Sequence, residues 1–310
     1  MKLIQLRYVL EVFRHGNHIS NTAEALHTSQ PGISKHIQML EAELGFEIFT
    51  RTRNRISGLT EPGEAVIAIS QRVLNDIDNL KRLREEISAR EGGPLTVATT
   101  HTQARYVLPR VIDRFLKEHP KVELRLRQGN PTQICEMVAS GEADISIGTE
   151  TMHEVAGVVQ LPCFQLERCI LVKKGHPLLK VRKPTLQDVA KYPIITHDPA
   201  FSGRWKVMDA FKQAGIEPNI VFGAVDADVS KTYVELGLGI AVMTAISFDR
   251  AKDTGLRSID ASHLFQSSTT SVSLRANSYL RNYTYDFIRL VAPDMTRARV
   301  DEALHRTAHP

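Results

Sequence analysis

Apolar residues Leu3, Leu6, Leu10 and Phe13 recur at three- and four-residue steps, the spacing of one helix face. Ser20 is positioned to cap a second, short helix carrying Ala23, Ala25 and Leu26. Ser29 opens a third, where Pro31 is tolerated because first-turn amides have no intrahelical partner anyway. The apolar face of this third helix is Ile33, Ile37, Leu40 and Leu44, and Gly45 supplies a left-handed stop. Residues 48–56 then read Ile-Phe-Thr-Arg-Thr-Arg-Asn-Arg-Ile, which predicts a basic two-stranded hairpin.

From residue 62 to about residue 90, Val66, Ile69, Val73, Ile77, Leu80, Leu83 and Ile87 form a long stripe opposite a charged face. A helix of roughly 40 Å has no core of its own to sit on. The expectation is that it pairs with its copy in a second chain, the alternative being a surface helix packed on its own domain. Gly92, Gly93 and Pro94 break the pattern and predict a hinge. Strand-like and helical segments then alternate: strand at 95–100, helix at 104–118, strand at 122–128, helix at 131–140 and strand at 143–149. The alternation resumes at 194–195, 205–214, 220–221 and 229–236, predicting open, twisted α/β sheets with ligand clefts at their strand ends.

With 310 residues and 42% hydrophobic content, the chain can build two or three domains with real cores. A net charge of +4 permits nucleic-acid binding without demanding it. No stretch approaches ~18 consecutive apolar residues, so no membrane partner is expected. The first residues lack the apolar run of a signal peptide, and a cytoplasmic location is expected. Cys135, Cys163 and Cys169 are odd in number and lack metal-site spacing, which fits a reducing compartment. Cys163 and Cys169 flank a predicted strand and read as buried thiols. Enzyme motifs fail on inspection. His153 and Glu154 are not followed by a second histidine at zincin spacing, and Gly237 and Gly239 precede Val242 where a dinucleotide loop needs glycine. No catalytic residue, metal or cofactor is expected.

Two constellations carry candidate chemistry. In residues 22–45, small Ala23 lets the second helix approach the third, and Leu26, Ile33, Ile37 and Leu40 fix their angle. Gln30, Ser34, Lys35 and Gln38 are then left facing outward, able to donate to or accept from base edges in a major groove. Arg51, Arg53 and Arg55 on the hairpin stand where a wing meets phosphates. Residues 1–60 hold seven basic and five acidic side chains, a net of +2, so binding must rely on placement and on repeated copies. Further along, Thr99, Thr100, His101, Thr102 and Gln103 lie between a strand and a helix, where free amides and a helix dipole favour an anion. Thr149 ends another strand and Ser202 precedes another helix, so all three segments are expected to converge on one cleft. Hydroxyl and amide donors alone satisfy a sulfate-like group, without a paired cation. The competing reading makes these threonines ordinary strand and cap residues.

The run containing Leu26, Ser29-Gln30-Pro31, Ile33-Ser34, Ile37, Leu40-Glu41, Leu44-Gly45, Phe49 and Arg51 resembles the signature of LysR-type transcription regulators. That resemblance adds Ser20, Thr28, Ser29 and Pro31 to the expected DNA-binding positions. Residues 98–106, 129–134, 226–229, 231–234 and 236–239 are similar to the CysB/Cbl branch, whose members activate sulfate-assimilation, cysteine-synthesis and sulfonate genes. The resemblance implies an α/β protein with an N-terminal all-α winged helix-turn-helix over residues 1–60. A dimerisation helix and hinge follow at 61–92, then an effector domain at 93–310. That domain is to be two Rossmann-like subdomains, 93–162 with 267–310 and 163–266, folded like a type 2 periplasmic binding protein. The implied partners are double-stranded promoter DNA, a small anionic sulfur metabolite, RNA polymerase and further copies of the chain in a homodimer or homotetramer. In the branch, the effector pocket involves positions matching Thr100, Thr102, Gln103, Thr149, Leu166 and Ser202. Ser202 keeps the hydroxyl of the usual threonine, whereas Leu166 replaces a common tryptophan, so the cleft is open to a different sulfur metabolite.

Overall fold

The computed structural model describes residues 1–53, 55–89 and 92–306. The chain divides into two units, Met1–Ile87 and Ser88–Pro310.

In the first unit, the apolar periodicity produces α1 (Leu3–Arg14), α2 (Ile19–Ala25) and α3 (Gln30–Leu44). Ser29 Oγ accepts from the Gly32 amide at 3.2 Å, and Gly45 ends α3 at φ 80°, a conformation cheap only for glycine. The expected cap at Ser20 is displaced: α2 starts at Ile19 with His18 as N-cap, so Ser20 lies inside the helix. An antiparallel hairpin follows, β1 (Phe49–Thr52) against β2 (Arg55–Leu59). Leu6, Val9, Leu10, Ala23, Ile33, Ile37, Leu40, Ile48 and Phe49 form one buried core. From the hairpin the chain enters α4 (Glu61–Ala89), whose Val66 and Val73 pack on that core while Ile69, Leu80 and Leu83 stay exposed. Within the unit, then, Leu80 and Leu83 of the stripe find little to cover them.

The second unit begins at β3 (Gly93–Thr99), so Gly93 and Pro94 open a strand where a hinge was expected. Pro94 is tolerated there because β3 pairs only with β4 at this end, its other neighbour β5 joining at Val97. The expected helix at 104–118 also divides: a π-helical turn, Gln103–Val107, precedes α5 (Leu108–Glu118). Pro109 near the start of α5 has no amide to donate back, which helps separate the two windings. Then come β4 (Val122–Gln128), α6 (Pro131–Ser140), β5 (Ile145–Gly148) and β6 (Val158–Leu166).

After Glu167 the chain crosses to a second sheet: β7 (Arg168–Lys173), α7 (Leu186–Ala190), β8 (Ile194–His197), α8 (Ser202–Gln213), β9 (Ile220–Ala224), α9 (Ala227–Glu235), β10 (Ile240–Thr244) and β11 (Leu256–Asp260). It returns through β12 (Ser268–Arg275) and closes with α10 (Asn282–Val291) and α11 (Arg297–Arg306). The two five-stranded sheets have the orders β4-β3-β5-β12-β6 and β11-β7-β10-β8-β9. Because β6 runs to Leu166 and pairs with β12, the subdomain boundary expected at 162/163 moves to Glu167. Cys163 and Cys169 accordingly sit in different sheets rather than flanking one strand; Cys135 and Cys169 are buried and Cys163 is half-buried. Among the described residues, no helix is long and apolar enough to cross a membrane.

Candidate nucleic-acid interface and ligand cleft

On α3 the buried face takes Ile33, Ile37 and Leu40, which leaves Gln30, Lys35 and Gln38 exposed and Ser34 half-buried. Ser29 and Pro31 at its start are exposed, and Thr28 is half-buried. Ser20 Oγ donates to Gln30 Oε1 at 3.2 Å, tying α2 to the first turn of α3. Arg53, at the tip with φ 49°, and Arg55 are exposed. Arg51 differs from both. Its Nη2 donates to Glu41 Oε2 at 2.6 Å, and Glu41 Oε1 also accepts the amides of Ile48 at 2.8 Å and Phe49 at 3.3 Å. A carboxylate on α3 thus holds the hairpin by three donors, and Arg51, though exposed, is tied to that joint through Nη2. The sequence carried a hint, because Glu41 falls next to Leu40 at the edge of the apolar face.

In the second unit, parallel strands β3, β5, β8 and β10 end on one side, the place where open α/β sheets put ligands. A narrow cavity of about 20 Å³ lies there, lined by Thr100, Thr102, Gln103, Thr149, Leu166 and Ser202 of the expected positions. Ser202 Oγ donates to Thr149 Oγ1 at 3.0 Å, linking the two sheets. Gln103 is fully buried; its Nε2 donates to Thr270 Oγ1 at 2.9 Å and its Oε1 has no partner. Thr99 and His101 do not line the cavity. Thr99 Oγ1 donates to the Ile147 carbonyl at 2.8 Å inside the sheet, as strand alternation requires of the neighbour of Thr100. His101 turns away and meets Asp226 at 2.9 Å.

That meeting belongs to a clasp between the subdomains. Tyr106 Oη donates to Asp228 at 2.5 Å and accepts from Lys231 Nζ at 3.0 Å, and Arg105 reaches Asp228 at 3.1 Å. Burial and the bond to Asp228 raise the Tyr106 pKa. Burial opposes the charge of Asp228, yet the bond from Tyr106 and the nearby Lys231 and Arg105 hold its carboxyl below the usual range. The π-helical turn therefore faces both ways, with Gln103 toward the cavity and Arg105 and Tyr106 toward α9.

The cavity also contains groups that sequence reasoning missed: Arg168, His197, Phe201, Thr244 and Ser268. Arg168 changes the chemistry most. Its guanidinium is 1% exposed, bonded to Ser268 Oγ, and unpaired with any carboxylate among the described residues. Burial lowers its pKa to about 10, still protonated at neutral pH. The expectation of neutral donors alone is thereby corrected, since a cation lines the cleft. His197, beside it, is driven to about 4 by burial and by Arg168 and is neutral. Glu150 makes no ion pair with Arg168: its Oε1 accepts from Lys206 at 2.7 Å and from the Thr269 amide at 2.6 Å, and its charge favours the guanidinium only from a distance. A signal existed: an arginine opening the otherwise apolar run Cys169-Ile170-Leu171-Val172 is unusual in a buried strand. Ser268 and Thr244 carried none.

Residues 3–64 match the family described as "Bacterial regulatory helix-turn-helix protein, lysR family", and residues 88–296 match "LysR substrate binding domain". The chain is 47% identical over 304 residues to the HTH-type transcriptional regulator CysB of Burkholderia cenocepacia, covering 98% of this chain and 97% of that one. It is also 47% identical over 300 residues to the regulator SsuR of the same organism, covering 97% of each. The crystal structure of the cofactor-binding domain of the Cbl transcriptional regulator superposes with a TM-score of 0.67 at 38% identity, over 69% of this chain and 94% of that one.

Proposed function

The chain belongs to the LysR family of transcription regulators, in the CysB/Cbl branch, and from that premise we propose that it controls sulfate-assimilation and cysteine-synthesis genes in response to a small anionic sulfur metabolite. It is a DNA-binding regulator with a small-molecule domain, not an enzyme. The observation that carries the finer reading is the meeting of Thr100, Thr102, Gln103, Thr149 and Ser202 in one cavity beside the Arg168 guanidinium. Such donors suit an ion that is fully deprotonated at neutral pH. On the DNA side, Gln30, Ser34, Lys35 and Gln38 read base edges while Arg53 and Arg55 meet phosphates.

Exposed Ile69, Leu80 and Leu83 on α4 support pairing with a second copy. Exposed Leu126 on edge strand β4 and Phe222 on edge strand β9 support a further contact, toward a homotetramer. Activation brings RNA polymerase to the promoter, in the cytoplasm. A second reading, control of sulfonate or sulfate-ester use, is favoured by Leu166, which leaves an apolar wall where the branch commonly has tryptophan.

The test is a mobility-shift and footprinting titration on DNA upstream of the chain's own gene and of sulfur genes. Sulfate, thiosulfate, O-acetylserine, N-acetylserine and an alkanesulfonate are added in turn. Thr100→Val and Gln103→Ala should abolish the response to the active metabolite while DNA affinity stays within about twofold. A footprint unchanged by every metabolite removes the sensor reading; equal loss of response and DNA affinity argues against a separate sensor cleft.

A further inference from the structure

Arg168 opens β7 immediately after the crossover, and Ser268 opens β12 just after the return, so both strand connections pass the cavity. The guanidinium there is fixed by three features. Nη2 is held by Ser268 Oγ, which itself lies 3.2 Å from Ser202 Oγ. Nε faces the Gln266 carbonyl at 3.5 Å. Nη1 lies against the first turn of α8, where a methyl placed on Gly203 would sit 3.1 Å away. That first turn has no side-chain cap, because its N-cap residue is Phe201. The positive end of α8 and a guanidinium edge therefore lie together, both favouring negative charge. The carboxylates nearby act on it only at a distance: Glu150 and Glu167 favour its charge without pairing with it, Glu150 Oε1 being bonded to Lys206, and His197 is neutral. A buried cation left so is costly, and an incoming anion relieves the cost.

We propose that Arg168 is the charge-selecting residue of the cleft, admitting a compact oxyanion and rejecting neutral molecules of the same shape. This rests on the sensor reading above and adds to it the residue that sets selectivity. The hydroxyls of Thr100, Thr102 and Ser202 bond a sulfonyl oxygen whether or not the ligand carries charge. The guanidinium does not: its interaction grows with each unit of negative charge, strongly so where water is excluded. Lysine at this position would keep the charge but lose the planar fork that engages Ser268 and a ligand oxygen together.

The experiment is a calorimetric titration of the full chain with sulfate, methanesulfonate and dimethyl sulfone, nearly equal in shape and carrying two, one and no negative charges. Ionic strength is held constant with chloride. The wild type should bind in that order, sulfate tightest. Arg168→Gln should weaken sulfate by about 10- to 100-fold and leave the sulfone nearly unchanged, flattening the order. Arg168→Lys should keep the preference for anions with weaker sulfate binding. Melting curves without ligand verify that each variant folds. If Arg168→Gln does not fold, the wild-type order and the lysine variant decide, and unchanged sulfate affinity with lysine counts against the assignment. A variant that folds and keeps the wild-type order overturns the role of Arg168 while the anion sensor stands. A wild type indifferent to charge, or binding none of the three probes, overturns both.

Discussion

The outer face of α3 and the cavity between the two sheets both gather polar side chains, but they do so by opposite means. On α3, Gln30, Lys35 and Gln38 come from a single helix, and all are exposed. The cavity draws its groups from the ends of many elements and buries them, with Gln103 at 0% and Arg168 at 1% exposure. The charge within each region is handled differently too. Glu41 on α3 is buried and paired with the exposed Arg51, whereas Arg168 is buried with no carboxylate paired to it among the described residues. A face of exposed groups can be altered with small effect on stability, because water already solvates every side chain on it. Groups in the cavity contribute to the fold and to ligand binding at once, so changes there move both.

The largest difference should emerge in acid. His197 is held neutral, at about 4 in the folded chain against roughly 6.5 when unfolded. Above pH 6.5 both states are neutral and the residue adds no pH dependence. Between pH 6.5 and 4 only the unfolded chain gains the proton, so stability falls by about 3 kcal/mol; below 4 the loss levels off. The single tryptophan, Trp205, lies in α8 near the cavity, so its fluorescence in urea titrations follows the second unit. His197→Asn should flatten that acid slope, and an unaltered slope would contradict the buried, neutral imidazole.

Next in size is the joint of the first unit. Glu41→Ala leaves the Ile48 and Phe49 amides and the Arg51 guanidinium without their acceptor and should destabilise that unit by about 2 kcal/mol. Circular dichroism should show this loss while the Trp205 transition stays in place; a shift of both transitions together would mean the regions are not energetically separate. The smallest effect tests the clasp. Tyr106→Phe removes one bond to the Asp228 carboxylate and should lower the Trp205 transition by about 1 kcal/mol, with promoter affinity unchanged. No change in the transition would show that Lys231 and Arg105 hold Asp228 without the phenol.

Much of the first unit was legible because its signals are local. Ser29 caps α3, Gly45 stops it, and the four-residue spacing of Ile33, Ile37 and Leu40 marks its buried side. In the second unit β4 and α6 fall at their expected limits for the same reason, each having its own turn signal at the ends. Errors arose at a helix start placed two residues late and where a distant strand decides. Ser20 lost its cap role to His18, and β6 extends to Leu166 because β12, over a hundred residues later, pairs with it throughout. The cavity was half visible: Thr100, Gln103 and Ser202 stand at strand and helix ends, whereas Ser268 shows its place only once β12 is seated.

The limits of α3 and α6, the outward face of α3 and the general position of the cleft are properties of short stretches, set by side-chain periodicity and by which residues tolerate a helix end. The sequence by itself determined those. Tertiary structure alone decided that Arg51 joins Glu41, that Arg168 is buried beside His197, and that His101 turns toward Asp226. Each of these depends on burial and on a partner in another element, and neither exists until those elements have packed together.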